Sequence, residues 1–280
     1  LGKELVIEQS GELSVYYAPF EYINKEAKII ICGITPGIQQ AILALEEASK
    51  QLAQGSSIET TKKAAKNTAS FAGPMRKNLI RLLDYIGLPP KLGITSCSEL
   101  FEAKAHLVHY TSALRYPVFK SGNNYSGTPS MVSNLFLRKQ VEQHLLPELA
   151  QFSSSTLIIP LGPKVEEALR YAARVGVINE NQILAGLPHP SGANAERISY
   201  FLGQKPADKL SIKTDDSGLR EGQEGFDPKT AKSGYDRNIE NAERDGDDDG
   251  VRQIRQYSQD NANTSGQMST GRLTSTAISE

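Results

Sequence analysis

The run IIIC (29–32), set in AKIIICGITPG (27–37), is apolar at every position and ends on a Gly/Pro turn. A strand of this kind has no polar face to turn to water, so it has to be covered on both sides before feeding its loop. STLIIPLG (155–162) is a second such run. AKAHLVHYTSAL (103–114) and NQILAGLPHP (181–190) read as further strands breaking into loops, and LSVYYAPF (13–20) as a strand or lead-in. Helical patterns lie between them, at 39–55, 73–88, 134–149, 163–176 and 194–203. In the second of these, Met75, Leu79, Leu82, Leu83 and Ile86 recur at helical spacing behind Pro74. Residues 56–70 are polar and rich in Thr and Lys. Strands alternating with helices predict an α/β fold: a three-layer α/β/α sandwich with a mostly parallel central sheet.

Charge divides the chain. Residues 1–210 carry 22 Lys/Arg against 18 Asp/Glu, whereas 211–280 carry 9 against 14, in a stretch with almost no apolar periodicity. The expectation is one domain over 1–210 and an acidic, polar, disordered tail over 211–280, with a short helix near 251–258. Cys32 and Cys97 form neither a disulfide framework nor a metal-ligand cluster. No apolar run reaches the roughly 18 residues of a membrane span. These features suit a cytoplasmic monomer, nucleoid-associated in a bacterium, without metal or organic cofactor.

In parallel α/β sheets, ligands bind beyond the carboxyl ends of the strands. Three loops are placed there: GITPG (33–37), HYTSALRYP (109–117) and LPHPSGAN (187–194). The third boxes His189 between Pro188 and Pro190 and runs into a helix.

GITPG, FAGPMRKNLIRLL (71–83) and HPSGANAER (189–197), in this order at strand ends, resemble the uracil-DNA glycosylase superfamily, with a first motif G-x-[DNE]-P-[YG] and a late motif H-P-S. The match in style is to its mismatch-specific and single-strand-selective branches and spans about 27–203. The resemblance implies a monofunctional hydrolase of base excision repair. Such an enzyme flips uracil or a related deaminated or damaged base out of single- or double-stranded DNA and cleaves its N-glycosidic bond.

Each position then has a chemical reason. Gly33, Ile34, Pro36 and Gly37 would bring backbone close to the base. Phe71, among Ser70, Ala72 and Gly73, would stack under it; a core Phe anchoring the next helix is the plainer alternative. His189 would donate to the departing base, the logic of an oxyanion hole, against a plainer role packing on its loop. Ser191, Gly192, Asn194 and Arg197, with Arg76 and Lys77, would contact DNA, and Ser191 or Asn194 could equally cap the last helix. Lys62, Lys63, Lys66, Arg115 and Lys120 add charge near the mouth. His109 reads as structural.

Two positions depart from the family pattern. Thr35 stands where Asp, Asn or Glu usually handles the attacking water; a hydroxyl can hold water but cannot take its proton near neutral pH. Thr111 and Ser112 stand where an Asn often reads the base edge, and Asn123 or Asn124 could substitute. These departures keep a second reading open, a catalytically weak or silent binder of nucleic acid or a modified base. A nucleotide enzyme is a third, without a G-x-G-x-x-G or P-loop fingerprint.

Overall fold

A computed structural model describes residues 1–211. The expected tail and its short helix lie outside the described residues. Strands β1 (Val6–Ser10) and β2 (Leu13–Tyr16) come first, then β3 (Ile29–Gly33). Four helices follow: α1 (Ile38–Ala53), α2 (Ile58–Ala69), α3 (Pro74–Tyr85) and the short α4 (Leu88–Leu92). Next are β4 (Val108–Ser112), β5 (Val118–Lys120) and β6 (Asn123–Asn124), then α5 (Leu135–Gln140) and α6 (Leu146–Leu149). Strand β7 (Leu157–Pro160), α7 (Pro163–Arg174) and α8 (Ala195–Phe201) complete it.

The central sheet is parallel, in the order β4-β3-β7. Successive residues of a strand face opposite sides, and β3 shows the consequence. Ile29 and Ile31 enter a core with Leu79, Leu82 and Leu83 of α3 and with Ile198 and Phe201 of α8. Ile30 and Cys32 enter the other core, with Leu137, Leu145 and Leu149 of the α5–α6 segment and Val165 and Leu169 of α7. Both faces of the run are buried, which gives the three layers.

Several elements differ from the sequence reading. The expected strand over 181–190 is reduced to one parallel bridge, Ile183 to Ile158. Beyond it Gly186 takes φ 103 and Pro188 has no N–H to donate to a ladder, so the chain leaves the sheet. β2 joins a separate antiparallel sheet, β1-β2-β5-β6, whose Leu13, Val15 and Val118 pack on the α7 side. The polar stretch 56–70 is helical: Ser57 Oγ caps α2 by accepting the Thr60 N–H at 3.2 Å, and Ala65 and Ala69 pack on Ala41 and Ala44 of α1. The helix expected over 134–149 is one run with a π-helical turn at 141–145, which makes room for Pro147 in its last turn.

Candidate active site

Gly33, Ser112 and Gly162, at or just past the ends of β3, β4 and β7, floor a cleft of about 830 Å3. The three loops converge here. Gly33, Ile34, Thr35, Pro36 and Gly37 line it, with Phe71, Thr111, Ser112, His189, Ser191, Asn194 and Arg197. Gly192 is exposed outside the lining, and so is Lys77.

The first loop is stitched to the segment after β4. Ala113 N–H donates to Gly33 O at 2.8 Å and Leu114 N–H to Ile34 O at 2.9 Å. The Thr35 hydroxyl donates to Tyr116 O at 2.8 Å and accepts the Val118 N–H at 3.0 Å. Its only proton is thereby committed, and one lone pair remains.

Phe71 lies against Gly33, where a Cβ would stand 3.5 Å from its ring. Phe71 is buried and takes φ 51, the left-handed region that a bulky residue rarely adopts. Its ring meets Tyr110 edge-on at 5.7 Å; Tyr110 stacks on Phe101 at 4.9 Å, and the Arg76 guanidinium covers Phe101 at 4.5 Å. Arg76 Nη2 also donates to Ser70 O at 2.9 Å. Arg76 thus sits behind the aromatic column, outside the cleft lining.

The His189 loop is held from two sides. Asn194 Nδ2 donates to His189 O at 3.2 Å, and Asn78 Nδ2 of α3 donates to Pro190 O at 3.0 Å. Neither Ser191 nor Asn194 makes a side-chain cap to the helical turns that follow; Asn194 folds back onto the loop instead. Asn78 holds this loop from α3, a contact that sequence reading missed, since nothing local links it to position 190. Burial lowers the His189 imidazole to about 4, so the ring is neutral near pH 7. Ser191 N–H approaches Nδ1 at 3.3 Å. Nδ1 is therefore the acceptor, and the ring proton sits on Nε2.

Beside β4 lies a charged cluster that sequence reading did not assemble. Glu148 is fully buried. His109 Nε2 donates to its Oε1 at 2.6 Å, and Arg115 Nε donates to its Oε2 at 2.9 Å. The Lys66 ammonium is 3.8 Å from Oε1. Burial would raise the Glu148 carboxyl, but Lys66, His109 and Arg115 outweigh it and hold it well below the usual range. Burial pulls Lys66 down to about 8 and, with Lys66 adding to the effect, His109 to about 4. His109 Nδ1 accepts the Asn24 N–H at 3.3 Å, so both ring nitrogens are engaged.

Of the basic residues expected at the mouth, Lys66 and Arg115 line the cleft, whereas Lys62, Lys63 and Lys120 do not; Lys164, not foreseen, does. Asn124 lines it too, its Oδ1 accepting the Ile38 N–H at 3.0 Å, whereas Asn123 lies outside. The Thr111 and Ser112 hydroxyls make no hydrogen bond among the described residues. No group of three His, Cys, Asp or Glu among the described residues could hold a metal ion, and none of their helices is long and apolar enough to cross a membrane.

An uncharacterized protein of Bacillus subtilis (strain 168), YoxB, is 39% identical over 201 residues, covering 71% of this chain and 78% of its own length. No solved structure matches the chain. The family model of the uracil DNA glycosylase superfamily matches residues 20–211, which holds every loop of the cleft. With its strand-end motifs meeting over one parallel sheet, the chain belongs to the uracil DNA glycosylase superfamily.

Proposed function

We propose that the protein is a monofunctional DNA glycosylase that hydrolyses the N-glycosidic bond of a deaminated or damaged base flipped into the cleft. The observation that carries this reading is the pairing of a neutral, Nε2-protonated His189 with a Phe71 ring fixed on Gly33. The ring offers a stacking face worth about 1–3 kcal/mol per base. As the C1′–N bond breaks, its electron pair stays on the base and positive charge grows on the sugar. The His189 Nε2–H stabilises the new anion through a hydrogen bond, and a neutral donor does so without a charged imidazole having to be buried. Water adds its oxygen to C1′ and releases a proton to solvent, leaving an abasic site. Thr35 holds that water through its remaining lone pair and takes no proton. Ser191, Gly192, Asn194 and Arg197, with Lys164 of the cleft lining, contact the DNA backbone.

One observation favours a second reading, a silent binder of modified bases: the Thr35 proton is committed to Tyr116 O. Base release from oligonucleotides carrying uracil, hypoxanthine, xanthine or mismatched thymine separates the two. Abasic sites formed by the wild type and lost in His189→Ala support the glycosylase. Salt-sensitive DNA binding with no release from any of them supports the binder.

A further inference from the structure

The central sheet runs β4-β3-β7, so the Phe71 ring over Gly33 stands mid-floor in the cleft. His189 lies on the β7 side, its Cβ facing Gly162. Thr111, Ser112, Arg115 and Lys66 lie on the β4 side. Two interstrand spacings, roughly 10 Å, separate the sides, room for one flat heterocycle. A ring stacked on Phe71 with one edge toward His189 turns its opposite edge toward β4.

Two cations of that side, Lys66 and Arg115, line the cleft, whereas their carboxylate partner Glu148 does not, and Glu21, also outside the lining, accepts from the Tyr116 hydroxyl. Arg115 commits Nε and Nη2 to Glu148 and the His144 carbonyl, and its Nη1 makes no hydrogen bond among the described residues. The Lys66 side chain is 4% exposed, and its ammonium gives one of its three donors to Tyr22 O at 2.7 Å. Desolvated cations with unused N–H groups favour a charged, acceptor-rich edge over a neutral one. The cleft volume accommodates a bicyclic base.

We propose that Lys66 and Arg115 form a specificity subsite for an anionic oxopurine base, one that has lost a ring proton at neutral pH, binding the edge that faces away from His189. The proposal rests on the cleft being a base pocket, as in the glycosylase reading. Xanthine and hypoxanthine are the matched probes: they differ by one oxygen, and xanthine alone ionises near neutral pH. Calorimetry of each free base with the full chain should show xanthine bound at least about tenfold more tightly. The preference should fall to about threefold or less in Arg115→Gln and return in Arg115→Lys, which keeps the charge. Equal affinities, tighter hypoxanthine or no xanthine binding overturns the subsite, as does an unchanged preference in folded Arg115→Gln. The wild-type comparison decides even if that variant does not fold. Selective xanthine binding with no release from any oligonucleotide would sink the glycosylase reading and leave the subsite standing. Uracil release without xanthine preference would do the reverse.

Discussion

The Thr35 hydroxyl donates to the Tyr116 carbonyl at 2.8 Å, and its oxygen accepts the Val118 N–H at 3.0 Å. One side chain thereby fastens the loop after β3 to the segment that carries Arg115. A Thr in this position closes a latch that a carboxylate could not, because an ionised carboxylate would face the Tyr116 carbonyl with no proton to give.

Thr35→Val keeps the shape and removes both hydrogen bonds, leaving a carbonyl and an N–H without partners. Stability should fall by about 1–3 kcal/mol in urea unfolding. Thr35→Asp should also be destabilised, and Thr35→Ser should stay close to wild type. If Thr35→Asp unfolds at or above the wild-type midpoint, the latch has no energetic weight.

His189→Ala should lower single-turnover base release by about 100- to 1000-fold, the usual effect of removing one donor from a developing anion. Because burial holds the ring near 4, the neutral donor persists well below pH 6.5. Release should show no inflection from this group between about pH 5 and pH 8, and an inflection near 6.5 that vanished in the variant would mean an imidazole open to solvent.

Stability should fall in mild acid. The folded protein depresses His109 and His189 to about 4, while the unfolded chain charges histidine near 6.5. The stabilisation from the neutral rings is complete above about 6.5 and is lost as the pH falls toward 4. For His189 alone it is on the order of 3 kcal/mol. Urea midpoints at pH 7, 5.5 and 4.5 should fall in that order; a flat series would contradict the buried neutral rings.

Phe71 separates side chain from backbone. Phe71→Ala and Phe71→Gly both remove the ring, and both should lose base release. At φ 51 glycine is the less strained replacement, so Phe71→Gly should be more stable than Phe71→Ala by about 1 kcal/mol. The opposite order in thermal unfolding would mean that the backbone is not held in the left-handed region.

The sequence disclosed what is periodic or local. Ile29–Cys32 announced a doubly covered strand because each side chain is apolar, and the helices at 73–88 and 163–176 carried a visible stripe. Helix α2 did not, because it buries Ala65, Ala69, Lys66 and Thr61, which give little hydrophobic contrast. The strand expected over 181–190 failed where Gly186 and Pro188 interrupt the ladder. In the cleft, the motif loops were legible because their residues are neighbours in the chain. The cluster of Lys66, His109, Arg115 and Glu148 was not, since three separate elements and a loop supply its members, and only the folded sheet and helices bring them around one carboxylate. Asn78 was hidden for the same reason.

The column Arg76, Phe101, Tyr110, Phe71 has a consequence for selectivity. Each ring is braced by the next, so Phe71 has little freedom to surrender to a base stacked on it in the proposed pocket. In the glycosylase reading, the ordering penalty of recognition then falls on the nucleic acid, which must unstack and unpair one nucleotide. That penalty is smallest where the pair is already mismatched or damaged. On that reading a rigid platform lets the weakness of the DNA at a lesion act as the first filter, before any donor in the cleft has read the base.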